Sequence, residues 1–290
     1  KYEDAMADCQ TLGEDFSMDA GTYFLTGKVA LAMDSYEEAA SNFKQAYGED
    51  STYDTAIKIY EAYVDKDMEA DGTRYLEAAL SSEAKDAQDH CDRGRVYYYM
   101  DDYDNARSEL LEASENGNTE ALLLLGMVYL DQNDVTNARA MYTQYISAVG
   151  DSAKGYNGLA LCDIQEGDYD SALTNITRAL PTATTEEMQS ILFNEIVAYE
   201  KKLDFATALT KAEEYVDMFP EDAAAKKEVK FLKTRVSTGT SDSSTADSTV
   251  TAAEGSTDNA GSAPDGSTDS TDSSGTDVYE DAGTSDGGEG

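Results

Sequence analysis

The chain has 290 residues and a formal net charge of −38, because 59 Asp and Glu stand against 21 Lys and Arg. Phosphate backbones and anionic lipid surfaces repel so acidic a chain, so we expect no nucleic-acid or membrane-surface binding through charge. One histidine and three cysteines exclude most His/Cys metal sites and any dense disulfide scaffold. No apolar run approaches the roughly 20 residues that a membrane-spanning helix needs.

Residues 1–236 predict an all-α fold. They are rich in Ala, Leu, Tyr, Glu and Lys, their apolar residues recur at helical spacing, and β-branched alternating runs are scarce. Pro181 and Pro220 each follow such a run, where a helix would end.

An internal repeat predicts how these helices are arranged. Small residues recur at intervals of 32 to 36 residues, and aromatic or apolar residues share their helix face three before, four after and seven after. Another helix precedes each of these, and Asp and Asn in the turn between them can cap the second helix. The small column is Ala5, Ala39, Gly72, Ala106, Ala138, Ala172 and Ala208; twelve residues upstream stand Gly27, Tyr60, Gly94, Gly126, Ala160 and Ile196.

This helix–turn–helix unit resembles the tetratricopeptide repeat, with Gly and Tyr in its first helix and Ala, Phe and Ala in its second. Repeats 2, 5 and 6 depart from the family pattern at Gly72, Asp163 and Ile196. The resemblance implies a right-handed α-solenoid, similar to bacterial exported or lipoprotein-type scaffolds. The best matches are Gly27…Ala39…Phe43…Ala46, Gly94…Tyr97…Ala106 and Gly126…Tyr129…Ala138.

The phase of the repeat predicts the domain organisation. We expect a half repeat at 1–16, six hairpins near 20–52, 53–86, 87–118, 119–152, 153–188 and 189–222, and an amphipathic capping helix at 223–236. The chain begins inside a repeat although terminal repeats need a cap, so we expect it to be a truncated or processed product.

Residues 237–290 are predicted to form a disordered acidic tail. Ser, Thr, Gly, Asp, Glu and Ala make up 49 of these 54 residues, and the segment has 12 acidic residues and no Lys or Arg. So few apolar side chains cannot offset an ordering cost of about 1–2 kcal/mol per residue. The tail resembles the spacers of secreted or surface-attached bacterial proteins, which favours an extracytoplasmic or cell-surface location, whereas three unpaired cysteines favour a reducing cytoplasm.

The resemblance implies that binding occurs on the concave face of the array, which the first helices line. Its middle stretch is apolar and suits an amphipathic helix or an extended apolar peptide. The alternative is that these side chains pack on neighbouring helices. The residues that we expect on this face are Phe24, Lys28, Leu31, Ile57, Glu61, Val64, Cys91, Arg95, Tyr98, Leu123, Met127, Leu130, Asn157, Leu161, Ile164, Phe193, Val197 and Glu200.

Other functions are disfavoured. The Lys, Asn and Arg set with which chaperone-binding members of the family grip a chain-terminal carboxylate has no counterpart here. His90 reads as a packing residue, and Cys9, Cys91 and Cys162 as buried free thiols. We therefore expect no catalytic residue, no metal and no cofactor.

Three functions remain open at this stage. The favoured one is a monomeric or weakly self-associating scaffold that binds a protein or peptide. The alternatives are a cytoplasmic co-chaperone or assembly factor of the same fold, and a structural module that self-associates through residues 1–16.

Overall fold

The computed structural model describes residues 2–15 and 18–239, and these residues form fourteen α-helices, one 3-10 helix and no strand. The predicted all-α fold is confirmed, while residues 240–290 of the predicted tail lie outside the described residues. The helices are α1 (Tyr2–Asp15), α2 (Ala20–Ala32), α3 (Tyr36–Glu49), α4 (Tyr53–Val64), α5 (Glu69–Ala79), α6 (Ala87–Tyr99), α7 (Tyr103–Glu115), α8 (Glu120–Asp131), α9 (Val135–Val149), α10 (Ala153–Glu166), α11 (Tyr169–Ala179), α12 (Thr185–Lys201), α13 (Phe205–Met218) and α14 (Ala223–Gly239), with the 3-10 helix at Leu180–Thr182.

The chain divides into two compact units at the boundary between Glu187 and Met188. In the first unit, α1 packs on α2, and five hairpins follow: α2–α3, α4–α5, α6–α7, α8–α9 and α10–α11. In the second unit, α12 from Met188 onward is followed by α13, on which α14 packs.

In each of the regular hairpins, a glycine of the first helix faces a large side chain of the second helix. A Cβ atom built on the glycine of the first helix would lie 2.5 or 2.6 Å from the nearest side-chain atom of the second helix. The absence of a side chain therefore lets the two helix backbones approach, and the large partner fills the gap. The pairs are Gly27 with Phe43, Gly94 with Leu110, and Gly126 with Tyr142.

The irregular second hairpin has its glycine on the second helix instead of the first. Tyr60 stands at the glycine position of α4, and Gly72 stands opposite it on α5. A Cβ on Gly72 would lie 2.9 Å from the Cα of Tyr60. The departure from the family pattern at Gly72 is thus compensated by the residue that it faces.

All six hairpin turns share one backbone geometry. One residue in each turn has a positive φ between 56° and 81°.

 In every case the amide of the next residue donates to the carbonyl that lies five residues before it in the chain, at 2.7 to 3.0 Å. This is the Schellman arrangement that ends a helix. The positive-φ residues are Asp34, Asp67, Asp101, Asn133, Gly167 and Leu203.

Aspartates then begin four of the second helices. The side chains of Asp102, Asp134, Asp168 and Asp204 each accept a hydrogen bond from the amide three residues later. The predicted capping role of the polar turns is therefore observed at these positions, whereas Ser35 makes no such side-chain bond.

The second unit has its own apolar core between α12, α13 and α14. Leu232 of α14 is fully buried there and Val229 is partly buried, whereas Phe231 is 38% exposed and lies under the guanidinium of Arg235. Phe231 therefore lies on the solvent side of the helix, whereas Leu232 faces the core. The helix itself ends at Gly239, three residues beyond the predicted end at 236.

We expect Gly126→Ala to lower the free energy of unfolding by about 1–3 kcal/mol, as overpacking does in a rigid core. The new Cβ would meet the ring of Tyr142 at 2.5 Å, and that ring is also held by Gly158, where a Cβ would meet it at 2.4 Å. Urea denaturation followed by circular dichroism measures the change.

Gly48→Ala is the matched control, because nothing lies within 4 Å of a Cβ at this helical position. It should stabilise the protein by up to about 1 kcal/mol, through the better helix propensity of alanine. Equal effects of the two substitutions would contradict the close helix approach at Gly126.

Candidate functional site

The first helices of successive hairpins contact one another in the first unit. α2 contacts α4, α4 contacts α6, α6 contacts α8, and α8 contacts α10. The second helices are more open, since α3 and α5 leave a cavity of about 520 Å³ between them, lined in part by Tyr47 and Tyr75. We call the outward side of α4, α6, α8 and α10 the first-helix face.

Tyrosine hydroxyls connect neighbouring first helices across this face. Tyr99 of α6 donates to Glu61 of α4 at 2.7 Å, and Tyr98 of α6 donates to Asp131 of α8 at 2.7 Å. Burial raises the pKa of Tyr98, and the carboxylate of Asp131 raises it further. The Tyr98 hydroxyl therefore remains a neutral donor, and the two tyrosine hydrogen bonds hold α6 in register with the helix on either side.

A charged cluster spans α4, α6 and the start of α8. The guanidinium of Arg95 binds the carboxylates of Asp54 and of Asp92, the latter at 2.9 Å. Glu120 also acts electrostatically on Arg95 and Asp92. Burial raises the pKa of Asp92, which shows that this carboxylate is poorly solvated. In this cluster the guanidinium of Arg95 lies among the carboxylates of Asp54, Asp92 and Glu120.

A family model described as tetratricopeptide repeat matches residues 91–153 and 123–187, which cover most of α6 through α11. The two matches begin 32 residues apart, which is the spacing between Ala106 and Ala138 in successive helix pairs. Residues 91–187 therefore consist of tetratricopeptide repeats.

Solved structures share the tetratricopeptide fold at low identity. The APC/C hetero-tetramer Cut9–Hcn1 matches 82% of this chain at 14% identity, with a TM-score of 0.51. A human IFIT1 dimer with m7Gppp-AAAA matches 81% at 16% identity and a TM-score of 0.49, and yeast Tom70 matches 84% at 14% identity and 0.47. The chain spans 47%, 64% and 60% of those chains, respectively. No curated protein matches the sequence.

The tetratricopeptide array buries many of the side chains expected on its concave face. Their apolar surface packs within the chain, so they have little left for a partner. The buried residues are Leu31, Ile57, Cys91, Tyr98, Leu123, Asn157, Leu161 and Val197.

The remaining predicted side chains keep surface that a partner can contact. Lys28 is exposed, with its ammonium 5.8 Å from the ring centre of Phe24. Met127, Leu130 and Ile164 are partly buried apolar residues of α8 and α10. The other partly buried ones are Phe24, Glu61, Val64, Arg95, Phe193 and Glu200.

Phe193, Val197 and Glu200 belong to α12 in the second unit, whereas the other predicted residues belong to the first unit. Phe193 packs against Tyr215 with ring centres 5.9 Å apart. Glu200 lies close to Glu228 of α14, and burial together with this second carboxyl raises the pKa of Glu200 to about 8. The repeat pattern carries no information about α14, so sequence analysis missed this pair.

The histidine and the two described cysteine side chains are held inside the packing. Nδ1 of His90 lies 2.6 Å from Glu109, which also accepts from Arg93 at 2.9 Å. Cys91 and Cys162 are buried, and burial raises the pKa of each thiol to about 12. A thiol with so high a pKa is a poor nucleophile. The Cys9 side chain lies outside the described atoms.

No group of three or more His, Cys, Asp or Glu in the part of the chain that the structure describes is placed to hold a metal ion. Of the helices described above, none has both the length and the apolar character required to cross a membrane.

We expect the free energy of unfolding to fall as pH rises from about 4.5 to about 8, and Glu200→Gln to flatten this slope. The pKa of Glu200 is raised to about 8 in the folded state from an ordinary 4.5, so the unfolded chain ionises it first. Unfolding by urea at several pH values measures the slope. Glu221→Gln, at an exposed position, is the control; equal slopes for wild type and Glu200→Gln would refute the assignment.

Proposed function

We propose that the protein is a non-catalytic scaffold that binds a peptide or protein segment on the first-helix face. The observation that carries the proposal is the apolar surface left on α8 and α10, where Met127, Leu130 and Ile164 are only partly buried. Successive first helices contact one another here, so one extended segment can meet several of them.

Two further observations support a binding role over a chemical one. Tetratricopeptide arrays generally act as interaction scaffolds, with stacked hairpins that present a long surface. The thiols of Cys91 and Cys162 are buried, and their raised pKa makes them unsuited to nucleophilic chemistry.

We extend the proposal to partner class and location. The partner is a protein and not a nucleic acid, because a net charge of −38 repels phosphate backbones. The acidic segment beyond α14 serves as a spacer at a bacterial cell surface. The protein itself is monomeric or weakly self-associating, and exposed Tyr2 of α1 is where self-association would occur.

We expect the double substitution Met127→Ser and Leu130→Ser to weaken partner binding about 30-fold or more. Each loses apolar contact worth roughly 1 kcal/mol, and 1.4 kcal/mol corresponds to a tenfold change in affinity. The partner is captured from the native source with the full chain, and its affinity is then measured by calorimetry.

Leu111→Ser is the matched control, since Leu111 is an exposed leucine on the second helix α7. It should leave the affinity unchanged, and both variants should keep the helical circular dichroism of the wild type. Undiminished binding by the double variant would place the partner elsewhere on the molecule.

A further inference from the structure

We infer that the first-helix face takes a cationic amphipathic segment, with apolar side chains in its middle and lysine or arginine at its flanks. This inference rests on the proposed function of that face, and it adds the chemistry of the partner. It comes from the distribution of charge around the apolar strip of α8.

Carboxylates stand at both ends of that apolar strip. α8 begins at Glu120 and ends at Asp131, and Leu123, Met127 and Leu130 lie between them at spacings of four and three residues. The helix rise of about 1.5 Å per residue puts the two acidic ends about 16 Å apart. A bound segment whose apolar side chains contact Met127 and Leu130 therefore has a carboxylate near each end.

Neighbouring helices add to the negative charge of this face. Asp54 and Glu61 of α4 and Asp92 of α6 bring the total to five carboxylates. Arg93 points into its hairpin, where it binds Glu109. The other Lys and Arg residues of these three helices are Arg95 and the exposed Lys58. Arg95 is already shared between two carboxylates.

Two of these carboxylates accept hydrogen bonds from tyrosines. Glu61 and Asp131 accept hydrogen bonds from Tyr99 and Tyr98, and these hydroxyls orient the carboxyl groups without bringing a positive charge to them. Burial raises the pKa of Asp131, as it does that of Asp92, so water solvates both incompletely. A cation brought by the partner would compensate these charges, and an anionic partner would meet repulsion.

Two synthetic peptides test the inference. Both are amphipathic helices of about 18 residues with leucine on one face, and they carry either lysine or glutamate on the other face. Fluorescence anisotropy with the full-length chain gives the affinity of each. We expect the lysine peptide to bind and the glutamate peptide to bind at least about tenfold more weakly. Added salt should weaken the binding of the lysine peptide.

Charge-neutralising variants separate this face from the general acidity of the chain. The double variant Glu120→Gln with Asp131→Asn should bind the lysine peptide about five- to tenfold more weakly than the wild type does. Glu37→Gln with Glu38→Gln, on the exposed side of α3, makes the same change in net charge and should alter binding by less than about twofold. Similar weakening by both pairs, or equal binding of the two peptides, overturns the inference.

Failure of this inference and failure of the proposed function give different results. If Met127→Ser with Leu130→Ser abolishes capture of a native partner that proves to be uncharged or acidic where it binds, the scaffold function stands and the cationic chemistry is wrong. If that double variant leaves binding of both the lysine peptide and the native partner unchanged, the first-helix face is not the binding surface and both fail.

Discussion

The close approach of paired helices at a small residue is the contact on which the rest of this structure depends. It sets the spacing within a hairpin at Gly27, Gly94 and Gly126. Tyr142 extends it between hairpins, because its ring contacts Gly126 of α8 and Gly158 of α10 at once. One side chain thus couples the closing of a hairpin to the stacking of the next, and the hairpin alone could not bury that ring.

The proposed binding surface follows from the same packing. Because the first helices of neighbouring hairpins contact one another, side chains from α4, α6 and α8 come within hydrogen-bond distance, as Tyr99 with Glu61 and Tyr98 with Asp131 show. These bonds fix the relative position of helices whose partly buried apolar side chains form the proposed binding strip. The surface is therefore formed in advance, which reduces the ordering cost of binding.

The sequence predicted the fold well because the repeat is local. Columns of residues such as Ala106 and Leu110 recur at constant phase, and both prove fully buried. The candidate site was predicted less completely. The repeat pattern placed Leu123 and Leu161 on the same helix face as Met127, yet neighbouring helices bury both leucines. The pairing of Glu200 with Glu228 was not predictable either, because it joins a repeat to a helix outside the repeating pattern.

The uniform turns have a consequence for how such an array can change in evolution. Each turn is specified by its own left-handed residue and a carbonyl of the same hairpin, such as Asn133 and Tyr129. Duplication or loss of a whole hairpin would leave every remaining turn intact and require new packing only where the copies join. Gain or loss of a single residue inside a hairpin would instead rotate one helix by about 100° and expose its small column. Length can therefore vary in whole copies, but scarcely in fractions of one.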